Sequence, residues 1–396
     1  MQRGSRGEVS SNKSHVKEWR CSLAGKNLAS MVVALTVFSF SMAGCYGGGS
    51  SYMPPPSPPP PVAAEWFFVE SFSGNVSGFS ASSGKLSPIA GSSVMFPFGV
   101  ANFAVKPDGT FLAAITVTPQ GTADFQIANI ASGGAISLQP LTSALSTPGG
   151  IAISSNGMIA VTDSNDSTVQ LFLVENNLIF TGGMAATGGF PQDVVFSADG
   201  KTLYVGNDGD GSVSVFSVSS AGVLQLVETA KFPFSPSGFS PAIARIRLSS
   251  SGSKFAATTL DGVLFVADVS AADQTLSNIQ QIQVANLANL QEVIFDPSGK
   301  YIYTGDQDHG GIYGFSIIGG NIAALPNSPF STGTLPGGPS GLAINSAGDR
   351  LYVVMGAQSA VFTYKRNTNS GQVSANGDVV SSGGFLSGRI VRVPAH

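Results

Sequence analysis

The chain has few cysteines, few histidines and little charge. Its 396 residues include only two cysteines and three histidines, and 11% are charged. Both cysteines, Cys21 and Cys45, lie near the N-terminus, so we expect no disulfide and no thiol nucleophile in the rest of the chain. No Gly-x-Ser-x-Gly sequence occurs on a strand–turn–helix background, and a Ser–His–Asp triad would have to recruit His309.

Basic clusters are also lacking in the part of the chain after Cys45. The net charge is −4, and the part after Cys45 is more acidic still, because six of the 19 Lys and Arg but only two of the 23 Asp and Glu precede it. An acidic chain without a Lys/Arg cluster is a poor ligand for nucleic acid. We therefore expect no nucleic-acid partner.

The N-terminus has the pattern of an export signal. A basic segment precedes an apolar run from Leu28 to Phe40, which is shorter than an ordinary membrane-spanning helix. Met42-Ala43-Gly44-Cys45 then resembles the bacterial lipobox, with Met42 where Leu is usual. We expect residues 1–44 to be a lipoprotein signal peptide and Cys45 to be lipidated, which predicts a membrane anchor in the cell envelope. The alternative is an ordinary signal peptide cleaved nearby.

Residues 45–64 form a Gly/Ser-rich piece followed by a Pro-rich piece. The first composition is flexible and the second is semi-rigid and extended. We interpret this segment as a tether between the anchor and a folded domain.

The remaining chain is repetitive. Pro191 to Val227 contains four short apolar runs separated by Ser-, Asp- and Gly-rich turns, which is typical of four antiparallel strands. The pattern recurs at intervals of 43 to 52 residues, and recurrence at this period indicates a propeller. Six copies are marked by a glycine in the first turn: Gly109, Gly157, Gly200, Gly252, Gly299 and Gly348.

A seventh sheet is predicted from both ends of the chain. Residues 66–88 supply three strands but no inner strand, and residues 386–393 resemble the missing one. The sequence therefore predicts an all-β, seven-bladed β-propeller over residues 65–396, closed by pairing of N-terminal strands with the C-terminal strand. Such closure removes exposed sheet edges.

The stretch LYVGNDGDGSVSVFSV resembles the YVTN-type propeller repeat. From about Trp66 to the C-terminus, the chain resembles the seven-bladed lactonase-like family, which includes 6-phosphogluconolactonases and carboxymuconate cyclases. The resemblance implies the fold strongly and the activity less so, because function depends on sites rather than on folds. It implies a lactonase-type hydrolase acting on a cyclic ester.

The alternation of strands places the loops between second and third strands on one face, together with the crossovers between blades. We expect ligands there, at the mouth of the central channel. The loops of this face carry acidic, amide and basic residues: Asp163, Asn165, Asp166, Gln192, Asp193, Asn207, Asp208, Asp210, Glu292, Asp306, Asp308, His309 and Arg389.

Two kinds of chemistry are open for these residues. Asp208 and Asp210 provide alternating oxygen ligands of the kind that calcium prefers, but the loop lacks a downstream bidentate Glu, and tight turns use the same residues. No metal or cofactor is therefore expected. His309 with Asp306 or Asp308 could supply a general base, and Arg389, Arg245 or Arg247 could supply a cationic partner. The family's cyclases use a His with Arg and Glu partners.

Arg245 and Arg247 alternate with apolar residues on one inner strand, so both face the same side. They could pair with acidic residues of a neighbouring blade or hold a carboxylate or phosphate. Together with Asp193 and Glu292 they are the predicted ligand-binding residues.

The leading expectation is a monomeric, non-catalytic binding or scaffolding module outside the cytoplasm, with a protein or small molecule on the loop-rich face. The alternative is a lactonase-like hydrolase. A 6-phosphogluconolactone substrate is difficult to reconcile with export, since that sugar phosphate is cytoplasmic.

Overall fold

The computed structural model describes residues 64–82, 84–118, 121–175, 178–236, 238, 240–284, 289–333 and 337–396, without the side chains of residues 141 and 142. The predicted signal peptide, Cys45 and the tether, apart from its last residue, lie outside the described residues. Within the described part of the chain, no helix has the length and hydrophobicity that crossing a membrane requires.

The described chain forms 28 strands and one 3₁₀ turn at Gly356–Gln358. In chain order the strands are β1 (Glu65–Ser71), β2 (Asn75–Ala81), β3 (Leu86–Met95), β4 (Gly99–Val105), β5 (Phe111–Val117), β6 (Ala123–Ile130), β7 (Ile136–Leu145), β8 (Pro148–Ile153), β9 (Ile159–Asp163), β10 (Thr168–Glu175), β11 (Leu178–Ala186), β12 (Pro191–Phe196), β13 (Thr202–Asn207), β14 (Ser212–Val218), β15 (Leu224–Lys231), β16 (Ile243–Leu248), β17 (Lys254–Thr259), β18 (Val263–Val269), β19 (Leu276–Gln283), β20 (Leu290–Phe295), β21 (Tyr301–Asp306), β22 (Ile312–Ile318), β23 (Asn321–Ala324), β24 (Pro339–Ile344), β25 (Arg350–Met355), β26 (Ala360–Arg366), β27 (Val373–Ser381) and β28 (Ser387–Pro394).

These strands build seven four-stranded antiparallel sheets. Six sheets use four consecutive strands, and the seventh has the order β28-β1-β2-β3. The inner strands of neighbouring sheets adjoin in a closed ring: β4, β8, β12, β16, β20, β24 and β28. The predicted seven-bladed propeller is thus confirmed, including its closure by the C-terminal strand.

The six predicted turn glycines connect the inner strand of a blade to its second strand. All six have positive φ, between 69° and 89°, which is why glycine suits the position. In each turn the glycine amide donates to the carbonyl three residues earlier, as Gly200 does to Ser197 over 2.9 Å. The turns set the period of the repeat and hold the inner strands in register.

Apolar side chains fill the space between blades. Phe172 and Phe125 belong to neighbouring blades, and their ring centroids are 4.8 Å apart. Phe216 and Phe265 are fully buried in similar clusters. These phenylalanines therefore form part of the core between blades.

Each inner strand also carries a β-bulge near its start, where it has one more residue than the second strand opposite. A bulge re-aims the side chains around it and is common beside functional sites. We call the last residue of each bulge the bulge position. It is equivalent in all seven blades and is occupied by Asn102, Gly150, Asp193, Arg245, Glu292, Gly341 and Arg389.

Closure of the ring can be tested at Phe67, which is fully buried on β1 and packs 4.5 Å from the ring of Tyr352 in the preceding blade. We expect Phe67→Ala to lower the free energy of unfolding by about 3–5 kcal/mol, because it opens a cavity between these blades. Phe180→Ala, at an exposed site on β11, is the control and should change it by less than about 0.5 kcal/mol. Equal effects in urea unfolding would contradict the closure.

Candidate active site in the channel

The seven equivalent bulge positions surround the channel axis. Five carry polar or charged side chains, and the other two are glycines. A Cβ on Gly341 would lie 2.4 Å from the carbonyl oxygen of Gly388, and one on Gly150 would lie 2.8 Å from the Cα of Asp193. Glycine is needed at these two places because the inner strands approach closely, so the functional groups come from the remaining five.

Arg247 is at the centre of a buried ion network. Its Nη1 lies 2.8 Å from Asp193 Oδ2, and its Nη2 lies 2.6 Å from Glu292 Oε1. Both carboxylates are almost completely buried. Asp193 Oδ2 also accepts from the amide of Ile246 over 3.0 Å. Burial acts to raise the pKa of Asp193, but Arg247 and its neighbouring arginines hold that pKa below its ordinary value.

Arg389 extends the network across the channel. Its Nη1 donates to Asn102 Oδ1 over 2.9 Å and to the carbonyl of Phe103 over 3.3 Å. Its Nε lies 4.0 Å from Glu292 Oε2, so Glu292 bridges Arg389 and Arg247. Burial and the nearby Arg247 charge lower the pKa of Arg389, although a guanidinium stays protonated in proteins.

Arg245 has fewer partners. Its Nη1 donates to the carbonyl of Ala244 over 2.8 Å, and it makes no ion pair with any described residue. It is half-buried and lines the same cavity as Arg389. A guanidinium without a carboxylate partner is available to a ligand's oxygen atoms.

Glu70, near the end of β1, is the remaining charged group of this cluster. The amide of Arg389 donates to its Oε1 over 3.1 Å, and its Oε2 is buried with no hydrogen-bond partner among the described residues. Burial raises the pKa of Glu70 to about 7, against the opposing effect of the Arg389 amide and of the Arg389 and Arg245 charges. Glu70 therefore changes protonation near neutral pH, in the range that suits a general base.

Two cavities meet at this network. On the face of the crossovers, a cavity of about 170 Å³ is lined by Glu70, Arg245, Glu292 and Arg389 together with loop residues. On the face of the glycine turns, a cavity of about 400 Å³ has mainly apolar walls, with Arg247, Glu292 and Arg389 at its inner end. The ion network thus lies between the two cavities, and Glu70 and Arg245 line only the one on the predicted ligand face.

The structure brings together five of the predicted residues: Asp193, Arg245, Arg247, Glu292 and Arg389. It places Asp306 at the end of β21 and His309 in the loop that follows, away from this cluster. His309 Nδ1 lies 3.0 Å from Asp306 Oδ2, but the His309 side chain is 61% exposed, and neither residue makes a hydrogen bond or ion pair to Arg389 in the described part of the chain.

Asp306 also has a local role. Its Oδ1 accepts from the amides of Asp308 and His309 over 3.0 and 3.2 Å, which closes the turn. Asp163 closes the equivalent loop in the same way, with Asn165 and Asp166 as donors. The His309–Asp306 pair thus stays a prediction that an assay must decide.

Asp208 and Asp210 lie in another loop of the same face. Asp210 pairs with Lys231 at 2.7 Å and accepts from Ser212 Oγ at 2.5 Å, while burial raises the pKa of Asp208. Across the residues that the structure describes, no three His, Cys, Asp or Glu side chains are grouped as a metal would require.

Glu70 and Asn102 are the two members of the cluster that were not predicted from the sequence. One signal was available for Glu70: it is a carboxylate that directly follows four apolar residues in the run WFFVE, which lies in a buried strand. A charged residue in such a strand needs a partner or a function. The partner of Glu70 is Arg389, on the strand that closes the ring. This contact exists only because the two ends of the chain pair.

Comparisons with known proteins agree with this architecture. Residues 181–321 match the family model described as lactonase, 7-bladed beta-propeller. A candidate 6-phosphogluconolactonase from Bacteroides uniformis has 18% identity and a TM-score of 0.70, covering 84% of this chain and all of that one. A periplasmic gluconolactonase from Pseudomonas aeruginosa has 14% identity and a TM-score of 0.70, again covering 84% of this chain and all of that one. No protein with curated annotation matches the chain significantly.

These matches confirm the resemblance to lactonase-like seven-bladed propellers. They also correct the leading functional expectation: the non-catalytic binding or scaffolding module is wrong, and the findings favour the lactonase-like alternative. The physical reason lies in the channel, where buried ionisable groups converge instead of being scattered over the loops.

The raised pKa of Glu70 predicts a pH-dependent stability. The pKa of Glu70 is about 7 in the folded protein and 4.5 ordinarily. Its favourable contribution to the free energy of unfolding is therefore complete below pH 4.5 and is lost as pH rises through 7. Glu70→Gln cannot ionise, so its stability relative to wild type should rise by about 3 kcal/mol between pH 4 and pH 8. Urea unfolding across this range measures the difference, with the exposed Glu175→Gln as control. A constant difference would contradict the burial of a titrating Glu70.

Proposed function

We propose that this protein is a lactonase-type hydrolase, which opens a cyclic ester with water to give a hydroxy acid. The observation that carries the proposal is the Glu70 carboxyl, whose pKa is about 7 and whose Oε2 has no partner among the described residues, beside Arg389 and Arg245 in one cavity. The match of residues 181–321 to the lactonase family supports the same reaction class.

The residues have separate roles in this reaction. Glu70 in its carboxylate form takes a proton from water, and the oxygen of that water attacks the lactone carbonyl carbon. Arg245 stabilises the negative charge that develops on the carbonyl oxygen, with Arg389 as a second cationic group. The ring C–O bond then breaks, and protonated Glu70 returns its proton to the leaving alkoxide.

The buried network keeps the arginines in place during this reaction. Glu292 holds Arg247 and Arg389 at once, and Asn102 fixes the other side of the Arg389 guanidinium. Such preorganised charges need little rearrangement as the oxyanion forms. Asp193, Glu292 and Arg247 are therefore proposed as positioning residues.

The cavity restricts the size of the substrate. Its volume of about 170 Å³ is below the ~300–1,000 Å³ of sites for drug-sized ligands. We propose a lactone with a single ring, which the ring-shaped mouth admits from the face of the crossovers.

We also propose that the protein acts outside the cytoplasm, held by lipid on Cys45. The basic segment, the apolar run and the lipobox-like residues before Cys45 support this location. A structural relative is described as periplasmic.

The test is hydrolysis of δ-valerolactone and glucono-δ-lactone by the purified protein, followed by proton release and corrected for spontaneous hydrolysis. We expect kcat/KM to rise with pH through about 7 as Glu70 ionises. Glu70→Gln should lose about 10²- to 10⁴-fold in kcat and this pH dependence, because the base is missing.

Two further variants decide between alternatives. Glu175→Gln, at an exposed site, should behave as wild type. If His309→Ala abolishes hydrolysis while Glu70→Gln does not, the base is His309 and the role given to Glu70 is wrong. If no lactone is hydrolysed faster than in buffer, the proposed function fails.

A further inference from the structure

Large hydrophobic side chains are exposed on the same face as the charged cavity. Half of the sixteen large hydrophobic residues that are exposed in the described part of the chain belong to loops or strand ends of this face. They are Phe72, Met95, Phe98, Phe190, Phe234, Leu260, Phe385 and Leu386. Exposed apolar side chains gathered around a cavity mark a binding surface more often than single scattered ones do.

Four of these residues lie on adjoining loops, and we call them the apolar rim: Phe72, Phe98, Phe385 and Leu386. The loops that carry them are packed together. The amide of Phe72 donates to the carbonyl of Leu386 over 3.4 Å, and a Cβ on Gly74 would lie 2.7 Å from the carbonyl oxygen of Phe98. The rim is therefore formed by loops that pack against one another at the blade that closes the ring. Glu70 and Arg389 lie on the same blade.

The rim continues into the cavity. Phe72 and Leu386 line the cavity of about 170 Å³ together with Glu70, Arg245 and Arg389. Phe72 and Phe385 are both 64% exposed, so much of their apolar surface is open to an occupant. A molecule whose reacting group touches Glu70 thus has an apolar surface directly beside it.

The backbone at Leu386 adds an independent observation. Its φ is +52°, in the left-handed region that a Leu side chain rarely adopts. Residues in this region persist where the surroundings impose them, and they cluster at ligand sites. Here the unusual conformation accompanies a leucine that lines the mouth instead of entering the core.

We propose that the substrate is a lactone bearing an apolar substituent, such as an alkyl chain, which lies on the apolar rim while the ring reaches Glu70 and Arg245. This inference rests on the proposed lactonase function and narrows it. A polyhydroxylated sugar lactone would leave the rim without a partner, whereas an alkyl lactone covers apolar surface on both molecules. The observation that carries the inference is the continuity of rim and cavity through Phe72 and Leu386.

The test compares kcat/KM for δ-valerolactone, δ-hexalactone, δ-octalactone and δ-decalactone, which differ in the alkyl group beside the ring oxygen. Each rate is divided by the hydroxide-catalysed rate of the same lactone, which removes differences in reactivity. Full burial of a methylene is worth about fourfold, so a chain lying on an open rim should gain about twofold per methylene.

Two rim variants and one control test whether the gain in kcat/KM with chain length depends on Phe72 and Leu386. Phe72→Ser and Leu386→Asn should each reduce the ratio of kcat/KM for δ-decalactone to that for δ-valerolactone by about three- to tenfold, because the chain loses apolar contact. Asn is chosen because it tolerates a left-handed backbone. Phe180→Ser, at an exposed site on the outer strand of another blade, should keep the wild-type ratio.

The outcomes separate the two proposals. A flat profile across the series, or a ratio unchanged in both rim variants, overturns the apolar substituent and leaves the lactonase standing. A glucono-δ-lactone rate above that of every alkyl lactone overturns it too. Absence of hydrolysis with all of these lactones overturns the lactonase and the substrate class together.

Discussion

The pairing of β28 with β1 is the interaction on which the rest of the structure depends. Trp66 lies opposite Val393 and Phe68 opposite Val391. The first and last strands of the domain are therefore hydrogen-bonded to each other although they are more than 300 residues apart in the sequence. The same pairing places the amide of Arg389 3.1 Å from Glu70 Oε1. The pairing that closes the ring therefore also brings the candidate base, Glu70, next to its cationic neighbour, Arg389.

The channel shows why charged groups survive in such an apolar protein. Desolvation alone disfavours each of the buried carboxylates, but Asp193 and Glu292 share the guanidinium of Arg247, and their Coulomb attraction in a poorly solvated site offsets much of that loss. Glu70 has only a backbone amide and more distant charges, so its burial is incompletely offset and its pKa rises. The difference in pKa between Glu70 and Asp193 therefore follows from their partners.

The bulges connect the repeat to the site. Every inner strand has one extra residue at the same position, but the residue type at the end of the bulge differs: an asparagine, an acidic residue, an arginine or a glycine. A repeated backbone thus presents an unrepeated set of side chains to one axis.

The fold was largely accessible from the amino-acid sequence, because strand alternation, turn glycines and spacing are local properties that repeat six times. Even the split blade followed from counting strands at the two ends. The candidate site was accessible only in part. Arg245 and Arg247 were recognisable on an inner strand, and Asp193, Glu292 and Arg389 were predicted in crossovers although they lie on inner strands. Glu70 and Asn102 were not predicted. What makes Glu70 distinctive is the desolvation of its carboxyl and its distance to a residue more than 300 positions away. Burial and long-range contact arise only when the chain closes, and so the tertiary structure alone decided which carboxylate lies without an ion-pair partner beside the arginines and what surrounds the mouth.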